Sequence, residues 1–556
     1  MHHILIPILS LAFFLNLENP GQDVSSEKEE KETVADKPVL PAHRMENLRV
    51  NHYFNLNEFS HWHDEVRKFY SARNYKLAWF ENGRLNNMAN DFINELKNSS
   101  QEGFPVTYYE LLPVNKAFTE MKNNPGFIKF FPHKIVELDI LLTQTYLKFA
   151  SDLSSGLVKP GKLEVDWEVH PSGQNLTDAL NEAMESRSIA KSLQKLKPEN
   201  PQYRSLIEAR RELKEQKLNG GWPLPGQVSK LKENDSSENV IRIKKYLMAT
   251  GDLASGDSVY LNSPVFDSRL IEAVKIFQAR HGLKQDGIVG KNTIREMNQP
   301  IDYRLDQIKV NLDRLRWENQ RSHQRYIAIN IPNYSLKYFE NGKTVQQMNV
   351  VVGETENYTP ALKDTISSIV VNPTWNVPWS IATKEILPKI KADSGFLADN
   401  DYSLRRGSYD GETETNPNSV DWSEITENNF PFFIVQEPGK LNSLGRIKFI
   451  LPNKHNIYLH DTPATHHFSR EQRDFSHGCI RLEKPFELAH KLLEGQMPPE
   501  KIRKKLNSRE TETILLSKKV PVHIYYHTAW VDSAGQMQFR NDVYEFDKIA
   551  LAAFKK

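Results

Sequence analysis

Residues 460–483 read HDTPATHHFSREQRDFSHGCIRLE and hold Cys479, the single cysteine of a 556-residue chain. His460, His466, His467 and His477 crowd around it. The preceding "NIYLH" alternates as a β-strand that ends on His460. The following "KPFELA" opens a helix with Pro485 in its first turn. Cys479 therefore lies on a loop between elements of a regular domain, and the chemistry of that loop decides how the domain is read.

Three chemistries compete for the loop. Its histidines, Asp461 and Cys479 are ligand types that suit zinc. The spacing does not suit it: His460 and Cys479 lie 19 residues apart, and no C-x-x-C, H-E-x-x-H or H-x₃-H pattern is present. No metal and no cofactor is expected. A buried structural thiol is the second reading. Ser476, His477, Gly478 and Arg481 make the segment polar or small, unlike a core strand. The third reading is a nucleophile. A free thiol titrates near ~8.5, so it needs a neighbouring imidazole or cation. His460 can serve as the base, and the backbone of Asp461 can hold its tautomer. Gly478 lets the chain approach a carbonyl closely, and the Cys479 N–H can donate to a developing oxyanion.

Outward from the loop, residues 325–547 read as a mostly β domain. "RYIAINIPNYSLKYFENGKTVQQMNVVVG" alternates apolar and polar residues around an E-N-G-K turn, a hairpin signal. Residues 382–438 break the strands with charged, Asn-rich sequence and read as an inserted flap. Residues 301–324 read as a linker helix. Residues 236–300 read as three short helices with a D-G-x-x-G turn. Residues 46–235 read as a helical scaffold, in which "KIVELDILLTQTYLKFASDLSSG" ends at a glycine C-cap. The chain is thus expected to be α+β and multidomain.

The apolar run 4–17 has the length of a signal-peptide core and is short for a membrane span of ~20 residues. Residues 1–20 are read as a signal peptide or an uncleaved anchor, and the charged 21–45 segment as a disordered tether. No cysteine follows the run, which excludes a lipidated N-terminal cysteine. Export sharpens the case for Cys479, because an oxidising compartment favours paired cysteines. A net charge of +1 argues against nucleic acid as a partner.

His460 followed by S-H-G-C at 476–479 resembles the signature of the L,D-transpeptidases with a YkuD-type catalytic domain: a histidine, a spacer, then [ST]-H-G-C-x-[NR]. The phrase FQxxxGLxxDGxxGxxT at 277–293 resembles a peptidoglycan-binding domain. "VNPTWNVPWSIATKEILPKI", "EPGKLNSLGRIKFILPN" and "FYSARNYKLAW" extend the likeness to the large periplasmic branch of the family, over about residues 50–547. The resemblance implies a periplasmic enzyme, a monomer, that joins peptidoglycan stem peptides through a cysteinyl thioester. It makes Cys479 the nucleophile and His460 the base, with Asp461, His477 and Gly478 completing the catalytic set. Arg481, Tyr458, Ser476 and Trp375 are the candidates for substrate contact. Arg481 suits a substrate carboxylate through its bidentate fork, or a structural salt bridge. Alternatives are a non-catalytic wall-binding scaffold, or the same thioester used for L,D-carboxypeptidase, D-amino-acid exchange or lipoprotein attachment.

Overall fold

The structure is a computed structural model that describes residues 50 and 62–554, apart from 82–83, 106–108, 110–131, 164, 166, 169–172, 255–256, 319–322 and 411–413. The segments 1–20 and 21–45 lie outside the described residues.

The mostly β domain is a sheet closed on itself. Its strands run Ile447–Ile450, Leu459–His460, Ile480–Leu482, Lys343–Gly353, Ser335–Glu340, Arg325–Asn330, Glu512–Tyr525 and Ala361–Val371, in that order. Ala361–Val371 pairs back onto Ile447–Ile450 and completes the ring. The E-N-G-K turn is a two-residue hairpin with Asn341 and Gly342 both at positive φ, as the primed turns require. Closure removes exposed edges. Ile327, Leu336, Val350, Ile369, Phe449, Leu459, Ile480 and Val522 fill the inner face.

The insertion begins earlier than the composition suggests. Trp375–Asn376, Tyr402–Arg406 and Phe432–Gln436 form a separate three-stranded sheet. Val377, Ile386, Leu397, Leu404 and Ile434 give it a core of its own. The flap expected over 382–438 is a folded lobe whose sheet also takes in Trp375–Asn376. Ala382–Ile386 is a π-helical turn, a form that recurs at functional sites.

The helical scaffold has a core around Trp79, Phe92, Tyr146 and Phe149. It also lends the strand Trp167–Glu168 to the catalytic sheet, paired with Ala361–Val371. The 236–300 module has four helices rather than three. Asp257 caps a short extra one, Ser258–Asn262, between Glu238–Ala249 and Ser268–Arg280. Its last helix, Lys291–Met297, follows the D-G-x-x-G turn. Gln278 is buried and knits that turn: its amide nitrogen donates to Asp286, the Ile288 carbonyl and Thr293, and its oxygen accepts from Gly287 N–H.

The expected linker helix is the keel of the molecule. Ile301–Trp317 has 13 of its 17 residues buried. Arg304 pairs with Glu296 of the small module, Arg316 with Glu102 of the scaffold, and Arg314 with Asp547 near the C-terminus. The hairpin Ala529–Val531/Met537–Phe539 packs with this helix and with Pro201–Leu218, away from the catalytic ring. The chain then ends in Phe546–Ala553, past the expected boundary at 547, where Tyr544 and Phe546 join the catalytic core.

Candidate active site

Alternation along three neighbouring strands builds the site. Phe449, Leu459 and Ile480 point into the core, so Lys448, Tyr458, His460 and Arg481 point to the opposite face. The register lines them up: Lys448 faces His460, and His460 faces Arg481. Cys479 lies two residues before Arg481 and therefore near Tyr458 and His460 on that face. The contacts agree. The Tyr458 phenol is hydrogen-bonded to the Cys479 thiol and to the Trp375 indole. The Tyr458 and His460 rings are 5.6 Å apart. The thiol also points at the Asn456 carbonyl, at 3.8 Å.

His460 is buried. Its Nδ1 donates to the Asp461 backbone carbonyl at 2.5 Å, which leaves Nε2 as the nitrogen able to take a proton. Burial, with the Arg481 and Lys448 cations close by, pushes its pKa down to about 3. The resting imidazole is neutral. The Asp461 carboxylate is turned elsewhere: it accepts from Arg446 N–H and Thr462 N–H. Asp461 therefore holds the His460 ring through its backbone carbonyl, while its side chain packs at the turn of Gly445.

Burial pushes the Cys479 thiol above its ordinary range. Contacts to Tyr458 and the Lys448 and Arg481 charges act in the opposite direction and only soften the rise. A thiol beside a neutral imidazole suits general-base activation in the encounter with substrate rather than a standing ion pair.

Gly478 has φ +104°, and a Cβ there would meet Ile457 at 3.2 Å. Only glycine fits comfortably. Its carbonyl accepts from Thr359 Oγ1, and Thr359 Oγ1 also accepts from Gly353 N–H. Tyr544 donates to the Gly353 carbonyl, so a residue near the C-terminus braces the catalytic loop. The Cys479 N–H has no acceptor among the described residues and is free to receive an oxyanion.

The remaining expected residues divide. Trp375 reaches the site from the base of the inserted lobe. Arg481 is half-buried, and its Nε has no partner. Ser476 is buried, and its hydroxyl donates to the Cys479 carbonyl and closes the loop. His477 is turned outward, its Nε2 2.6 Å from Glu385 on the π-helical turn. It ties the loop to the inserted lobe. Lys448, Thr359, Glu385 and Tyr544 escaped the sequence reading, because each comes from a segment far along the chain with no motif to mark it.

A family model described as "L,D-transpeptidase catalytic domain" (YkuD) matches residues 324–506. Others described as "Scaffold domain" and "Putative peptidoglycan binding domain" match 64–209 and 236–297. A Haemophilus influenzae protein named "Putative L,D-transpeptidase" is 36% identical over 225 residues. That match spans 40% of this chain and 44%, less than half, of the relative's length. Among solved structures, an L,D-transpeptidase from Stackebrandtia nassauensis is 13% identical, covering 53% of this chain and 94% of its own, with a TM-score of 0.22. One from Xylanimonas cellulosilytica is 14% identical, covering 54% and 100%, with a TM-score of 0.17. Scores this low leave the assignment to the sequence matches. On those matches the chain carries a YkuD L,D-transpeptidase catalytic domain over residues 324–506, joined to a scaffold domain and a peptidoglycan-binding domain.

Proposed function

We propose that this chain forms 3→3 cross-links between peptidoglycan stem peptides through a thioester on Cys479. The observation that carries the reading is the Cys479–Tyr458–His460 face, with Nδ1 of the base engaged and Nε2 left for the proton. His460 takes the thiol proton as sulfur attacks the carbonyl of the third residue, meso-diaminopimelate, of a donor tetrapeptide. The S–C bond forms and the C–N bond to the terminal D-Ala breaks. The electron pair stays on nitrogen, and His460 returns its proton there as D-Ala leaves. The side-chain amine of diaminopimelate on a second stem then attacks the thioester. It passes a proton through His460 to the departing sulfur and restores the thiol. One amide replaces another, so no cofactor is needed.

Arg481 suits a donor carboxylate, and Tyr458 and Trp375 line the donor side. Peptidoglycan as substrate puts the enzyme in the periplasm, with residues 1–20 as export signal or anchor, acting as a monomer. A non-catalytic wall-binding scaffold would not need His460, Gly478 and Cys479 together. Water, a free D-amino acid or a lipoprotein lysine as acceptor would give hydrolysis, exchange or anchoring. Incubation with purified tetrapeptide muropeptides, read by mass, tests all of these. Loss of D-Ala with a 3→3 dimer is the expected result. Absence of any D-Ala release overturns the reading.

A further inference from the structure

Two cations flank the base on this face, and neither has a hydrogen-bonding or ion-pairing partner among the described residues. Arg481 at least has the Glu385 charge within electrostatic reach. Lys448 has none. It is half-buried, sits directly opposite His460 in the antiparallel register, and lays its Nζ 3.8 Å from the centre of the Tyr458 ring. A partly desolvated ammonium without a counter-ion is costly, and a ring face compensates for only part of that cost. Burial accordingly draws its pKa down. A site that keeps such a group uncompensated is complete when an anion arrives with the ligand.

The register says which anion. Across the sheet the order is Lys448, His460, Arg481, with Cys479 on the Arg481 strand. The leaving amine must stand at His460 to receive its proton. Its own carboxylate is one carbon away, and Lys448 is the cation on the side of His460 remote from the nucleophile's strand. We propose that Lys448 is a specificity residue that binds the free terminal carboxylate of the donor peptide, so that the enzyme accepts stems ending in an unblocked amino acid. This rests on the donor-peptide reading above.

The experiment compares release of the terminal residue from a tetrapeptide donor with a free C-terminal acid and from the same donor as its C-terminal amide. It uses the full chain and its Lys448→Met and Lys448→Arg variants. The wild type is expected to favour the acid by about 10- to 100-fold in kcat/KM, the range for one charge-assisted hydrogen bond. Lys448→Met should lose most of that preference, and Lys448→Arg should keep it. The ratio is the readout because a lysine acting only on the thiol would slow both donors alike. Equal slowing in Lys448→Met, or an acid preference it retains, overturns the proposal. A wild type that releases neither residue overturns the donor-peptide reading itself.

Discussion

Two glycine-bearing loops carry the chain's two motifs, and they treat their polar groups in opposite ways. In the D-G-x-x-G turn, buried Gln278 satisfies donors and acceptors from Gly287 to Thr293, and the turn is closed on itself. In S-H-G-C, the Cys479 N–H is left open and, among the described residues, neither Arg481 nor Lys448 beside it has a hydrogen bond or ion pair, Lys448 meeting only the Tyr458 ring. Buried polar groups are normally paired. A motif whose groups are all spent on one another explains a shape. A motif that leaves groups unspent points to a ligand.

The sharpest break of the contrast is at the nucleophile. Cys479→Ala should abolish D-Ala release, and His460→Ala should slow it by about 10²–10⁴-fold. A carbapenem should add once to the intact protein by mass, since a strained lactam carbonyl offers the same electrophile to the same thiol. An adduct that survives in Cys479→Ala would refute the assignment.

The open loop should also be slow to ionise. With the thiol pKa raised and His460 neutral, the thiolate fraction climbs with pH through and beyond the ordinary thiol range. Alkylation of Cys479 by iodoacetamide should rise about 100-fold between pH 7 and pH 9, tenfold per unit below the pKa. A plateau already reached near pH 6 would mean a resting thiolate–imidazolium pair instead.

The closed loop should fail by unfolding rather than by lost chemistry. Gln278→Leu strands several buried partners and should cost the 236–297 module roughly 1–3 kcal/mol. Hydrogen exchange should find that module loosened while soluble muropeptides are still turned over. Normal protection in the variant would remove Gln278 from its place in this comparison.

The smallest effect belongs to the contact between loop and lobe. Glu385→Gln keeps a hydrogen bond to His477 but removes the charge, and a surface pair is worth about 0–1 kcal/mol. Turnover is expected to change by only a few-fold. A loss as large as that of His460→Ala would give His477 a part in the chemistry.

How far the sequence could be read followed from how local each signal was. Cys479, Gly478 and His460 sit within one stretch, and Tyr458 follows from strand alternation. Lys448 occupies an ordinary strand, "RIKFIL", and becomes visible only when pairing sets it against His460. Thr359 and Tyr544 reach the loop from 119 and 66 positions away in sequence terms that no local pattern records, though Thr359 touches it directly. The helix Ile301–Trp317 read as a linker because Arg304, Arg314 and Arg316 look like a solvated face. Their partners Glu296, Asp547 and Glu102 belong to other parts of the chain, and only with them present can the arginines be buried.

That helix also sets a dimension. A hinge between the 236–297 module and the catalytic ring would, on the proposed function, let one anchored enzyme sweep an arc of neighbouring peptides. Ion pairs buried along Ile301–Trp317 lock the two bodies to a common beam, so whatever the 236–297 module grips lies at a fixed offset from Cys479. In the proposed reading the molecule is a gauge as well as a catalyst. It joins the peptides that fall at its own span and reaches the next pair by letting go and stepping.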